Sequence, residues 1–422
     1  MKRFTFMLAA AVLGISTSAT AQLVMQMGNG WSFTVAGNVN AFGVYTNASI
    51  DTLGPTQPAG VPRISGGLVP EEQVTRIRTG LLPAFVTFDI KGTEGPVELG
   101  AHFGFAPQIN SDGQHDVFGA QIDMRQVYLT VGTPWGQILA GRELGLYQRH
   151  NILTDLTLFG AGPTGGGVGA GGTTLGRIGF GYLYPNFNAQ LTYTSPKQFP
   201  VLLTIGLFDP STVIGDAHTF GFTKSPRIEA EAVFTQPLGE TNGSNKGKRE
   251  LQVWVGGSYQ RAQASKDAAG NPIEVDKGPN VNGYGGALGA KLDIAGVSVV
   301  ASGYLAYGMG TTLMFDGAGA VDATDSPRTS WGYILQAAYA IPDTKVVVGG
   351  AWGESRLEET DADKVNTADP LVKSNGAATA SVQYNFTKSL KYVLEGTYAQ
   401  STAYSGAKNK SFQGATGLML FF

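Results

Sequence analysis

The sequence predicts an all-β chain closed into a membrane-spanning antiparallel barrel of about sixteen strands. Three observations predict it: period-two alternation along most of the chain, a secretory start with no later helical span, and a final apolar strand that ends on an aromatic residue.

The alternation is the primary evidence. Trp31, Phe33, Val35, Val39, Ala41 and Tyr45 share one parity, with Ser32, Thr34, Asn38 and Asn40 on the other. Val97, Leu99, Ala101, Phe103 and Phe105 alternate with Glu98, Gly100, His102 and Gly104. Trp331, Tyr333, Leu335, Ala337, Tyr339 and Ile341 form a third row, and Tyr392, Leu394, Gly396 and Tyr398 a fourth. Such periodicity marks strands with two unlike faces. The polar parity is rich in Gly, Ser, Thr and Asn, where a soluble sandwich would show charge. Charged residues make up only 14% of the chain, against roughly 25% in an average soluble domain, and glycine, at 60 residues, is about twice as common as usual. Strands of about ten residues, aromatic caps on the apolar rows, and short turns alternating with long loops favour a membrane barrel.

The start of the chain gives the compartment. Lys2 and Arg3 precede an apolar run from Phe4 to Ile15, and Ala19-Thr20-Ala21 supplies the small residues of a cleavage site before Gln22. Residues 1–21 therefore read as a signal peptide, since about a dozen apolar residues fall short of the roughly 20 that span a bilayer. Residues 22–422 then form a single unit. Loss of Lys2 and Arg3 takes 29 basic residues to 27 against 32 acidic, a net of −5, which disfavours nucleic acid as a partner. With no cysteine, there is no disulfide framework or thiolate site. No cofactor is expected. In lipid, only helices and closed barrels satisfy every backbone hydrogen bond.

Connection lengths set the strand count. Short turns are expected near Lys91–Pro96, Thr133–Trp135, Ser195–Pro200, Ala295-Gly296, Pro342–Lys345 and Thr387–Leu390, with a longer one from Pro237 to Lys248. Long segments fall near 46–73, 106–120, 143–173, 209–225, 263–282, 309–329, 357–374 and 404–410. Sixteen strands result if 176–194 is one long strand running past Pro185; a hairpin there would give seventeen and break the even count. Eighteen is the nearest competitor. Phe412, Gly414, Thr416, Leu418, Leu420 and Phe422 share a face of the last strand, which has no polar tail.

The overall plan, the block from Asp123 to Glu143, and Tyr193-Thr194-Ser195-Pro196 together resemble the general Gram-negative porin family. In that block an Arg opens one strand, a turn ends in glycine, and Gly141-Arg142 closes the next strand before a long third loop. The ending Gly417–Phe422 departs from the family's common form, which carries a basic residue before the last aromatic. The resemblance implies an outer-membrane homotrimer, contacts with outer-membrane lipids and lipopolysaccharide, and a terminal Phe422 read by the barrel-assembly machinery. It also implies a water-filled channel passing ions and small hydrophilic solutes.

About sixteen strands enclose more space than wall side chains fill. The segment of about 143–173 is the candidate constriction, because loops beyond roughly 12–15 residues are usually functional. Arg76, Arg78, Arg125 and Arg142 are the candidate basic wall, with Glu143 and Asp155 on the acidic loop side, since facing charges set selectivity in pores. Arg76, Arg78 and Arg125 share parity with lipid-facing residues. They reach the lumen only through a register-shifting bulge, near Gly80 or Pro83 on the first strand, or else sit at the rim. A substrate-specific eighteen-strand channel and an outer-membrane enzyme are the alternatives. The four histidines (His102, His115, His150, His218) lie in unrelated segments with no nucleophile motif beside them.

Overall fold

The computed structural model describes residues 23–50, 73–109, 122–163, 173–239, 249–315, 319–365 and 371–422; residues 1–21, the expected signal segment, lie outside them. Twenty strands follow in order: β1 (Leu23–Gln26), β2 (Ser32–Ile50), β3 (Gln73–Arg78), β4 (Phe85–Glu94), β5 (Val97–Pro107), β6 (Ile122–Thr133), β7 (Gly136–Leu144), β8 (Phe187–Thr194), β9 (Val201–Phe208) and β10 (Val213–Ile214). Then come β11 (His218–Phe222), β12 (Arg227–Pro237), β13 (Glu250–Asp267), β14 (Asn280–Ile294), β15 (Val297–Tyr307), β16 (Thr329–Ala340), β17 (Val346–Leu357), β18 (Val372–Asn385), β19 (Leu390–Ala403) and β20 (Lys408–Phe421). Neighbouring positions of the wall pair antiparallel, and β2 pairs with β20 from Asn38↔Phe421 to Ile50↔Asn409, which closes the cylinder.

The twenty strands occupy sixteen positions. β3 and β4 are two halves of one position beside β2. β11 and β12 share another beside β13. β1 and β10 are short additions. The even count stands, but one of its premises does not. Residues 176–186 are neither a strand nor a hairpin of the wall. They form turns inside the barrel, with Gly176, Gly179 and Gly181 at positive φ, and the wall resumes only at Phe187. The alternation of Ile178, Phe180 and Tyr182 there reflects packing inside the barrel. Within 209–225, read as a loop, His218–Phe222 instead extends the wall on β13.

The two faces are inverted relative to a soluble protein. Outward residues are large and apolar, as at Val39, Leu288, Leu335 and Phe412, each more than half exposed. Inward ones are polar and buried, as at Asn38, Asn40, Thr397 and Gln413. Outward Trp135, Tyr193, Tyr339 and Tyr392 lie at the turn end, and Tyr45, Tyr259, Tyr284 and Tyr307 at the loop end, the two girdles of a membrane barrel.

The last residue completes the closure. Gly37 N donates to Phe422 O at 2.8 Å and Phe422 N to Gly37 O at 3.0 Å. A Cβ on Gly37 would stand 2.4 Å from Phe85 O and 2.9 Å from the Phe422 ring. Gly37→Val should therefore cost about 1–3 kcal/mol through overpacking. It should lower the temperature at which the folded band disappears on semi-native gels; an unchanged temperature would show that the joint is not tight.

At the loop end a buried guanidinium joins three connections. Arg328 Nη2 reaches Asp216 Oδ2 at 2.6 Å, and its Nε reaches Asp363 Oδ2 at 2.7 Å. Burial pushes the Asp363 carboxyl up, but the Arg328 hydrogen bonds prevail and hold it below its ordinary value.

Candidate functional site

The connection from Gly145 to Asn186 turns into the barrel, and its course is fixed residue by residue. At its root Glu229, fully buried on β12, accepts from Leu146 N at 2.8 Å and Tyr147 N at 3.0 Å, while Arg227 Nε holds the other carboxylate oxygen at 2.9 Å. A short helix, α1 (Arg149–Thr154), follows Gln148 in the left-handed region. Arg149 Nη2 meets Glu231 Oε1 at 2.6 Å, and His150 Nε2 lies 3.4 Å from the same oxygen. The His150 ring stacks on Trp254 at 5.5 Å, and Trp254 Nε1 donates to Asn151 Oδ1 at 3.0 Å. Gln336 on β16 then accepts from Leu156 N at 2.9 Å and donates to Thr154 O.

Asp155 ends α1 and caps the 3-10 turn Leu156–Phe159, accepting from Thr157 N at 2.8 Å and Thr157 Oγ1 at 2.9 Å. Its other oxygen accepts from Tyr182 OH at 2.7 Å and Arg177 N at 3.3 Å. The far end of the loop reaches β19, where Glu395 Oε1 accepts from Gly162 N at 2.6 Å. On the return, Arg177 donates to Ala377 O at 3.0 Å and Thr379 Oγ1 at 3.3 Å, and Gly181 N to Ser355 Oγ at 2.9 Å. Gln413 on β20 donates to Gly162 O, and the loop thus lies against β12, β13 and β16–β20. Among the described residues no hydrogen bond ties it to β5 or β6.

The wall also bends towards the loop. Between Arg78 and Phe85 the chain takes seven steps where β2 takes four, from Phe42 to Asn38. The surplus is odd, so Arg76 and Arg78 face inward along with Phe85, Thr87 and Asp89. The bowed residues are satisfied on both sides. Asn40 Oδ1 accepts from Gly80 N at 2.9 Å, its Nδ2 donates to Leu82 O at 3.0 Å, and Asn38 Nδ2 donates to Pro83 O at 2.9 Å. On the loop side, Leu81 N donates to Gly160 O at 2.9 Å and Leu82 N to Leu158 O at 3.2 Å. Gly80 is required here, since a Cβ would stand 2.5 Å from Gly160 O.

The sequence-predicted residues do not form a single ring. Arg78 is buried and donates to Thr173 O at 3.4 Å, and Arg76 stands on the same face. Arg125 occupies a bulge, the unpaired step between Gly104↔Gln126 and Phe105↔Met124, and binds Asp123 at 2.8 Å. Glu143 faces inward and accepts from Gln126 Nε2 at 2.9 Å. Arg142 is a correction: it pairs with outward Val127 and Ala189, is exposed, and does not belong to the lumenal wall. Asp155 is a second, because its carboxylate is consumed within the loop's own fold. Across from α1, the β4–β7 wall carries Asp89 and His102, joined at 3.0 Å, with His102 stacked on Tyr128 at 4.7 Å.

Sequence reasoning missed Arg149, His150, Glu229, Glu231, Arg177 and Glu395. A signal for two of them exists in Arg227-Ile228-Glu229-Ala230-Glu231-Ala232, where charges alternate with small or apolar residues and both acids fall on the inward parity.

A family model described as Gram-negative porin matches residues 7–406. No curated protein matches the chain. Among solved structures, the outer membrane channel DcaP of Acinetobacter baumannii is similar with a TM-score of 0.65 at 13% identity, covering 94% of this chain and 99% of that one. The anion-selective porin from Comamonas acidovorans gives 0.58 at 13% identity, over 93% and 100%. The trimer form of OmpT, an outer membrane protein of Vibrio cholerae, gives 0.51 at 13%, over 93% and 100%. At such identities the likeness is one of fold.

Proposed function

The chain belongs to the Gram-negative porin family, outer-membrane channels for passive diffusion, and from that premise we propose that its aqueous path runs between the inward-folded loop and the β4–β7 wall. The supporting observation is the loop's position: it is bonded to β12, β13, β16–β20 and the bow between β3 and β4, and leaves the polar β5–β6 face of the sixteen-strand cylinder untethered. Arg149 and His150 edge the path on the loop side. Asp89, His102, Tyr128 and Glu143 edge it on the wall, with Arg76 and Arg78 nearer the loop end. The loop edge is thus basic at Arg149 and the wall carries both signs, where the sequence-based expectation has an acidic loop facing a basic wall.

Planar-bilayer conductance of the purified protein, with reversal potentials in a salt gradient, tests this. Ohmic, non-saturating steps are expected. Arg149→Gln should move the permeability ratio towards cations by about fivefold, the Boltzmann factor of roughly 1 kcal/mol for a unit charge 4 Å from an ion in water. Unaltered ratios would take Arg149 out of the path, and absence of conductance would end the diffusion reading. Saturable block by one solute would favour a substrate-specific channel.

The homotrimer is supported by the trimeric solved relative, and conductance steps in threes are its readout. The remaining assignments follow the family plan. Residues 1–21 are a cleaved signal, so the mature chain starts at Gln22 on N-terminal sequencing. Phe422 serves as the assembly signal, and its deletion lowers the yield of folded barrel. Outer-membrane lipids and lipopolysaccharide surround the wall. The chain acts as a channel and not as an enzyme, so lipid and peptide hydrolysis should stay at background.

A further inference from the structure

The inner wall departs from its polar rule in one sector at the loop end. On β13, β14 and β15 the inward residues there are Ala262 and Ala264, Val281, and Tyr304 and Ala306, all buried. Across the barrel, β2, β19 and β20 are polar at that end, with Thr46, Ser401 and Asn409 facing inward. Apolar surface towards a water-filled lumen costs free energy unless something covers it. Here it is covered by the connection between β15 and β16, whose Met309, Met314, Phe315 and Val321 pack on it together with Tyr147 and Leu183 of the constriction loop.

The wall is shaped to receive this connection. Gly283 and Gly285 stand in the inward row of β14. A Cβ on Gly283 would collide with the Phe315 ring, and one on Gly285 would stand 2.6 Å from Tyr147 OH. Phe315 holds a φ of 67°, left-handed backbone that a bulky residue keeps only where its surroundings over-determine it. They do so here. Its amide donates to Met309 O at 3.2 Å, its carbonyl accepts from Ile214 N at 3.0 Å, and its ring centre lies 6.0 Å from the Arg227 guanidinium. Thr312 O accepts from Tyr184 N at 2.9 Å, which ties the connection to the return arm of the constriction loop. At the rim, Arg328 N donates to Ala320 O at 3.0 Å and Asp216 N to Val321 O at 3.1 Å, beside the ion pairs of Arg328 with Asp216 and Asp363.

We propose that residues 308–315 and 319–328 are a second inward fold, anchored by Phe315, that closes the β13–β16 side of the loop-end mouth and sets the size limit for hydrophilic solutes entering from that end. The inference rests on the diffusion path between the constriction loop and the β4–β7 wall, because the side left open at the mouth is the side on which that path runs. The packing makes the obstruction fixed, since side chains at interior density do not give way to a passing solute. It is also one-sided. The described connections at the turn end, such as Gly95-Pro96, Pro134-Trp135 and Ala295-Gly296, are too short to reach over the lumen.

Polyethylene glycols of graded size, added to one side at a time of a planar bilayer holding the purified protein, test this. The chain has no cysteine, so a label on Ser405→Cys, in the exposed β19–β20 connection, reports which end of each inserted barrel faces which side. The largest polymer that lowers the conductance should be smaller from the loop end than from the turn end. Phe315→Ala with Arg328→Gln should raise the loop-end limit towards the turn-end one and leave the turn-end limit as in wild type, whereas general loosening of the barrel would move both. Gly283→Val, which puts a side chain where the Phe315 ring lies and leaves the connection's own sequence intact, should act in the same way. Equal limits from the two ends of the wild type, variants with an unmoved loop-end limit, or variants whose two limits move together would overturn the second fold while the conductance still upholds the path. A wild-type barrel that does not conduct would remove both.

Discussion

Replacing Glu229 by alanine should be the most damaging single change in the barrel interior, with an expected loss of about 3–5 kcal/mol, the usual cost of removing one partner of a buried ion pair. The structure explains the size. Glu229 is fully buried, and its removal strands the equally buried Arg227 and leaves the Leu146 and Tyr147 amides without their acceptor. Each orphaned amide adds roughly 1–3 kcal/mol of desolvation. The readouts are the urea midpoint in detergent and single-channel current, which should turn noisy as the loop root detaches. Arg227→Met added to Glu229→Ala should recover part of the loss by removing the unpaired cation. A wild-type midpoint and quiet current for Glu229→Ala would show that the loop is held elsewhere.

The second large effect concerns Asp155. Were its carboxylate on the opening, neutralising it would shift permeability towards anions and leave stability alone. The geometry leads to the opposite expectation. Asp155 holds Thr157, Tyr182 and the Arg177 amide together, so Asp155→Ala should destabilise by about 3 kcal/mol or more. It should broaden the current distribution without a clean change in reversal potential. A shift to anion preference at unchanged stability would return the carboxylate to the lumen and refute the structural role.

Much of this architecture can be read in the sequence because a membrane wall imposes one rule on every strand. The outward rows at Val39–Tyr45, Phe103–Phe105 and Trp331–Tyr339 are where alternation places them, and the short turns fall where Gly, Pro and Asn interrupt it. What alternation cannot convey is a change of phase. By alternation Arg125 shares parity with outward Val127 and Leu129, and only the unpaired step at Arg125 shows that the rhythm breaks there, while Arg142 stays in phase with outward Val127 and Ala189. The loop misled for a related reason. Residues 176–184 keep an apolar rhythm because they pack inside the barrel, and only the positive φ of their glycines shows that the backbone is not extended. Asp155 looked like an exposed acid because its partners Arg177 and Tyr182 lie more than twenty residues away across the loop.

The seven-against-four step count between Arg78 and Phe85 makes this stretch intolerant of length variation in an unusual way. With β4 held in place and the three surplus steps of the bow kept, excising one residue from 79–84 slides β3 one position along β2 and turns Arg76 and Arg78 out into hydrocarbon, while excising two slides it by two positions and keeps both guanidinium groups in water. Insertions and deletions there should be tolerated only in pairs, so the inward charge at this point depends on parity as well as on side-chain identity.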